Sequence, residues 1–137
     1  VWLASQRQLP LAVDRNIVVV GVCGAGKSTL VRGLRALGCP ARVCAQEHSH
    51  VPGLWRRKGR PPVLVYLEAS LDTICRRLGV QWDESVLATQ RGRLALAREE
   101  CDLYVDTDAL TIDEVLAVVV AHLRDRHPSG APGQPQT

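Results

Sequence analysis

Gly21-Val22-Cys23-Gly24-Ala25-Gly26-Lys27-Ser28-Thr29 decides how this chain reads. It fits the pattern G-x-x-x-x-G-K-[ST] at every specified position. The run before it, Ile17-Val18-Val19-Val20, is β-branched and apolar on both faces, as a strand inside a parallel sheet is. After it Leu30, Val31, Leu34 and Leu37 recur at helical spacing, and Gly38 followed by Pro40 stops the helix. A strand, a glycine turn and a helix in that order give the pattern its physical meaning. Gly21, Gly24 and Gly26 open backbone angles that a side chain forbids. The loop can then turn its N–H groups inward as a nest for an anion, and the helix N-terminus adds a partial positive charge of about half a unit.

Such a nest suits a polyphosphate. Gly21, Cys23, Gly24, Ala25, Gly26, Lys27, Ser28 and Thr29 are its expected contacts. Lys27 reaches the β- and γ-phosphates, the Ser28 hydroxyl ligates Mg²⁺, and Thr29 donates to the α-phosphate. Lys27 stands out further because Lys58 is the only other lysine, against fifteen arginines. Cys23 reads as a small filler within the loop rather than a redox switch.

Outward from the loop, strands and helices alternate. Ala41–Ala45 reads as a short strand, and residues 46–62 as a loop with one helical turn near Trp55. Val63–Leu67 is a second buried strand. Ser70 caps a helix that runs through Leu78 and closes on Gly79. Asp83 caps a longer helix reaching about Glu100. Leu103-Tyr104-Val105 is the last strand. Thr111 with Glu114 makes a capping box, and Ile112, Val115, Leu116, Val119 and Leu123 form the buried stripe of the final helix. This alternation predicts α/β architecture with a parallel sheet, whose ligands sit at the carboxyl ends of the strands. Residues 1–15 read as an N-terminal extension, 16–127 as one nucleotide-binding domain and 128–137 as a disordered Pro/Gly/Gln-rich tail.

The composition agrees with a single globular domain. The chain has 137 residues, 46% hydrophobic and 23% charged, with a formal net charge of +3. That balance argues against nucleic acid as the principal partner. No apolar stretch approaches the roughly 20 residues that span a bilayer, and no signal peptide is read in Trp2-Leu3-Ala4. Five scattered cysteines, an odd count, form no secretory framework and suit a reducing, cytoplasmic setting.

The segment Arg15-Asn16-Ile17-Val18-Val19-Val20-Gly21, running into Gly24-Ala25-Gly26-Lys27-Ser28-Thr29, resembles the opening of shikimate kinase and its relatives among the P-loop NTPases, with a Walker A loop. Val63-Leu64-Val65-Tyr66-Leu67-Glu68-Ala69-Ser70 resembles the strand before that family's lid. Asp102-Leu103-Tyr104-Val105-Asp106-Thr107, with Ile112-Asp113-Glu114-Val115, resembles its last strand and helix. The resemblance implies a three-layer α/β/α P-loop NTPase fold with a parallel sheet of about four to five strands. It also implies ATP (or GTP) with Mg²⁺ and transfer of the γ-phosphate to a small molecule. The chain departs from the family in its acceptor site. Gln46-Glu47-His48 stands where an Asp-x-Asp pair is expected, no triple-glycine strand lies between Glu47 and Arg60, and the lid shrinks to about Gly79–Trp82. A catalytically reduced nucleotide-binding module or NTPase is therefore the alternative, and the missing strand leaves room for a dimer that completes the site.

Phosphoryl transfer needs an acid beside the metal and a cation on the moving group. Glu47, after the second strand, is preferred over Glu68 as base and, with Ser28, as metal ligand. Arg91 is chosen as the catalytic arginine from Arg76, Arg77, Arg91, Arg93 and Arg98, on a stripe Leu87, Arg91, Leu94, Arg98. Edge-of-core snorkelling is the competing reading of those arginines. Cys39, Cys44, His48 and His50 have the wrong spacing for a zinc knuckle. Arg56-Arg57-Lys58-Gly59-Arg60 beside Trp55 reads as a solvated loop first and as an anion or RNA contact second.

Overall fold

The computed structural model describes residues 16–126, so the expected extension at 1–15 and the tail at 128–137 lie outside the described residues. Four strands form one sheet: β1 (Ile17–Gly21), β2 (Ala41–Val43), β3 (Val63–Glu68) and β4 (Leu103–Asp106). All pairs are parallel, in the order β2-β1-β3-β4. Ile17 lies opposite both Ala41 and Val63, and Val65 lies opposite Leu103. The helices are α1 (Lys27–Ala36), α2 (Leu71–Leu78), α3 (Glu84–Arg93), α4 (Ala95–Glu100) and α5 (Ile112–Arg126). Single 3-10 turns at Gln46–His48 and Leu54–Arg56 punctuate the segment between β2 and β3. No helix among the described residues is long and apolar enough to cross a membrane.

Every residue of β1 and β3 is buried. Successive strand residues point to opposite faces, so both faces of the sheet are covered. From β1 the chain moves through α1 to β2 on one side, and from β3 through α2–α4 to β4 on the other. Right-handed crossovers therefore put α1 on one face and α2–α4 on the opposite one. Helix α5 packs on α1, where a Cβ added to Gly33 would stand 3.0 Å from Leu116 Cδ2. The carboxyl ends of β1 and β2 lie side by side, and their outgoing chains diverge there.

Local chemistry sets the helix ends. Ser70 Oγ accepts from Thr73 N–H at the start of α2, and Gly79 closes it at φ 68°. Thr111 and Glu114 exchange side-chain and backbone bonds of 2.8 and 3.1 Å, the expected capping box. Two expectations need correction. The single helix from Asp83 to Glu100 is broken at Leu94, whose N–H is shared between the carbonyls of Gln90 and Arg91. Gly92, a weak helix former, lies two residues before that break. Ile112 is 65% exposed rather than part of the α5 stripe. It lies in the first turn and lines an open cavity instead. Trp55 is fully buried, so it packs on the domain and is not offered to a base. Arg56 and Arg60 flank its ring at 5.5 and 5.6 Å, and Arg60 also reaches Asp102 and the Glu100 carbonyl.

Gly21 ends β1 at φ 154°, and a Cβ there would lie 2.2 Å from the Leu67 carbonyl oxygen. The Cβ is fixed rigidly to its Cα and the atom it meets is backbone, so nothing can yield without separating β1 from β3. Gly21→Ala is expected to abolish soluble, cooperatively folding protein. Gly92→Ala, on a helix with open space around the new methyl, should instead stabilise by about 0.5–1 kcal/mol. Urea denaturation of the two variants beside the parent checks both.

Candidate functional site

The loop between β1 and α1 is set by three glycines, with Gly24 at φ 78° and Gly26 at φ 100° besides Gly21. Gly24 rests on α2, where its missing Cβ leaves Ile74 and Leu78 just beyond 3 Å. Gly26 is the N-cap of α1 and has no side chain to accept from the helix's first-turn N–H groups. The first turn of α1 therefore has no side-chain cap, the chemistry that lets a helix N-terminus take an anion.

Lys27 is bound back onto its own loop. Its Nζ donates to the carbonyls of Gly21 and Val22 at 2.9 and 3.0 Å, and stands 3.0 Å from Glu47 Oε2. Glu47 comes from the 3-10 turn after β2, and the pairing of β2 with β1 is what carries it there. Both side chains are buried, with 9% and 5% of their surfaces exposed. The second carboxylate oxygen, Oε1, is buried without a hydrogen-bond partner. A carboxylate in that position holds one strong cationic partner and has capacity for another.

Around this pair stand Gln90, which the sequence did not single out, and Cys23, His48, Gln46 and Arg93, which it named in other roles. Gln90 of α3 accepts the Cys23 N–H through Oε1 at 3.0 Å, and its Nε2 lies 3.4 Å from Cys23 Sγ. His48 Nε2 is 3.2 Å from the same sulfur and 3.6 Å from Glu47 Oε2. Burial, followed by the neighbouring Glu47 charge, pushes the Cys23 thiol above its ordinary pKa, so it is a thiol and not a thiolate at neutral pH. Gln46, fully buried, bonds the Val51 and Arg93 carbonyls and accepts from Trp55 N–H, which fixes the turn that presents Glu47. Arg93 Nη1 donates to the Glu47 carbonyl.

Behind the loop, Thr107 Oγ1 bridges the Ala25 and Glu68 carbonyls, and Arg77 donates to Thr107 and to the Gly24 carbonyl. These bonds tie the loop to the end of β4. A cavity of about 400 Å³ opens beside them, between Gly26 and Thr29 on one wall and Leu110, Thr111 and Ile112 on the other.

Of the residues expected from sequence, Lys27, Glu47 and Cys23 come together at the loop, with Ser28 exposed on the first turn of α1. Arg91 lies elsewhere. Its Nε and Nη2 hold Glu68 at 3.2 and 3.3 Å, and Nη2 also reaches the Ala69 carbonyl. Arg98 stands over the Tyr104 ring at 5.1 Å. The buried row of α3 and α4 is Leu87, Gln90, Leu94 and Ala97, not the Leu87, Arg91, Leu94, Arg98 row, so the arginines lie at its margin. Cys39 and Cys44 are buried in the core, while His48 sits beside Cys23. Gln90 was readable as a polar residue in phase with Leu87 and Leu94; nothing in the sequence pointed it at Cys23. Comparison with protein-family models gives no match, and neither does comparison with curated proteins.

The ion pair dictates an asymmetry. Lys27→Ala strands a buried carboxylate and should cost about 3 kcal/mol or more. Glu47→Gln leaves the ammonium its two carbonyl partners and should cost less. Combining Lys27→Met with Glu47→Gln should recover most of the loss. Urea midpoints of the parent, the single variants and the double variant measure this coupling.

Proposed function

We propose that this chain is a P-loop nucleotide-binding protein that takes a nucleoside triphosphate, ATP or GTP, with Mg²⁺. We further propose that it acts as a small kinase, passing the γ-phosphate to a small-molecule acceptor. The observation that carries the reading is the Lys27 ammonium poised at the mouth of a glycine loop against a buried, half-satisfied carboxylate. A polyphosphate entering the loop offers Lys27 a stronger partner than backbone carbonyls. It also offers acceptors to the first-turn N–H groups of α1.

The residues present fit the metal. Ser28 and Glu47 would hold Mg²⁺, an oxygen-seeking ion, and Glu47 has an oxygen without a partner. When bound, the ion neutralises charge on the β- and γ-phosphates. The cavity beside Gly26 and Thr29, with apolar walls from Leu110, Ile112 and Val115, suits a nucleoside. The turn at Gln46–His48 and the following residues to Arg60 are where an acceptor would lie.

The pairing of Arg91 with Glu68 favours a second reading. In this arrangement the chosen arginine serves Glu68 and leaves the moving phosphoryl group without that cation. A nucleotide-binding regulatory module without transfer activity answers to the same loop.

Thermal unfolding with ATP or GTP, with and without Mg²⁺, is the test. At a hundredfold the dissociation constant, ligand should stabilise by about 2.7 kcal/mol. Lys27→Ala, read against its own ligand-free baseline, should lose most of that gain. No shift with either triphosphate overturns the reading. A shift without phosphate transfer to any of a panel of hydroxylated and nucleotide acceptors selects the second reading.

A further inference from the structure

We propose that Cys23 Sγ, Glu47 Oε2 and His48 Nε2 form a site for a soft divalent cation, Zn²⁺ by the chemistry of its donors, and that its occupancy excludes the nucleotide's Mg²⁺. The three atoms already form a compact triangle. Its edges are 3.8 Å from sulfur to carboxylate, 3.2 Å from sulfur to imidazole and 3.6 Å from imidazole to carboxylate. Tetrahedral zinc has Zn–S near 2.3 Å and Zn–N or Zn–O near 2.0–2.1 Å. Those lengths require ligand-to-ligand edges of about 3.3–3.6 Å. The side chains therefore need to move only by a few tenths of an ångström.

A second observation points to a ligand at this place. Glu47 is 95% buried by side chain, and its Oε1 has no hydrogen-bond partner. A carboxylate taken so far from water with half its capacity unused is unfinished unless a cation completes it. Lys27 already holds Oε2, so a metal ion joined to the sulfur and imidazole shares that oxygen with the ammonium or takes the free Oε1 by a turn of the carboxylate. The donor set selects the ion. A thiolate and an imidazole favour Zn²⁺ over Mg²⁺ or Ca²⁺, which prefer oxygen. On binding, the Cys23 thiol gives its proton to the solvent as the metal–sulfur bond forms, so one proton is released and nothing is oxidised. Three protein ligands leave a fourth position for water, the composition of an exchangeable site rather than a closed structural one.

The consequence for the loop is direct. Zinc fastens the Cys23 side chain to the turn after β2 and takes the carboxylate assigned to Mg²⁺, so the loop cannot hold metal–nucleotide at the same time. This second half rests on the proposed nucleotide reading, whereas the metal site stands without it.

Co²⁺, a spectroscopic stand-in for Zn²⁺, separates the two. Titrated into the full chain under reducing conditions, it should bind one to one with an intense thiolate-to-metal charge-transfer band and tetrahedral d–d bands. Excess Zn²⁺ should bleach both. Cys23→Ser should lose the charge-transfer band although four other cysteines remain. His48→Ala, at a side chain 58% exposed, should weaken binding at least tenfold. Circular dichroism confirms that both variants fold. Zn²⁺ should weaken ATP–Mg²⁺ binding in the parent at least tenfold, and in His48→Ala, read against its own zinc-free nucleotide affinity, that weakening should be lost. An octahedral spectrum without a thiolate band, or a band that survives Cys23→Ser, overturns the site. Zinc and nucleotide binding together without competition overturns the exclusion. Cobalt binding without any nucleotide binding keeps the site and sinks the functional reading instead.

Discussion

The ammonium of Lys27, gripped by the Gly21 and Val22 carbonyls and by Glu47, is the constraint on which the rest of the structure depends. Each partner demands something of the fold. The two carbonyls face one point because the loop bends back at Gly21, which needs bare backbone against Leu67. The carboxylate arrives only because β2 pairs directly with β1 and its exit turn is fixed by Gln46. Taking two charges out of water costs several kcal/mol per ion before any attraction is counted. The carbonyls offset part of this for the lysine, whereas one Glu47 oxygen is left unmatched. The pair is thus held in place without being fully satisfied, the state from which an incoming anion or cation can displace it.

Elements that rest on local chemistry were legible from sequence. The β-branched run of β1, the Ser70 cap, Gly79 at the end of α2 and the Thr111–Glu114 box each carry their cause within a few residues. What the sequence misread or left open has a distant cause. Asp83 announces a helix, but the break at Leu94 depends on how the chain settles against the core. The preference for Glu47 over Glu68 rested on where the resembled family places its acids; that Glu47 reaches Lys27 depends on β2 lying beside β1, a property of sheet order that hydrophobic patterns leave open. Trp55 beside four basic residues reads equally as a surface platform or a core plug, and only burial decides.

Gln90 shows why the site was only half legible. In the sequence it is one more polar residue on a weakly patterned helix. In the fold its amide occupies the Cys23 N–H, an inward donor of the glycine loop. An anion that claims this N–H must displace Gln90, and Gln90 sits in the buried row of α3 with Leu87 and Leu94. On the proposed reading, loop occupancy is therefore coupled to α3. The coupling runs through one hydrogen bond, so its strength is bounded by about 1 kcal/mol, enough to bias α3 but not to lock it.

The same economy governs Glu47. Its Oε2 is 3.0 Å from the lysine, 3.6 Å from His48 and 3.8 Å from the Cys23 sulfur. A hard ion would draw the carboxylate toward Ser28 and the α1 terminus, and a soft one toward sulfur and imidazole. A single buried side chain cannot serve both directions, because turning it to one abandons the other. On the two proposals the choice would be made by what else each ion finds: phosphate oxygens on one side, a thiolate and an imidazole on the other. The identity of residue 23 therefore matters beyond its size. A serine there would leave the loop's backbone geometry intact and remove the soft alternative, leaving Glu47 to oxygen-seeking partners alone.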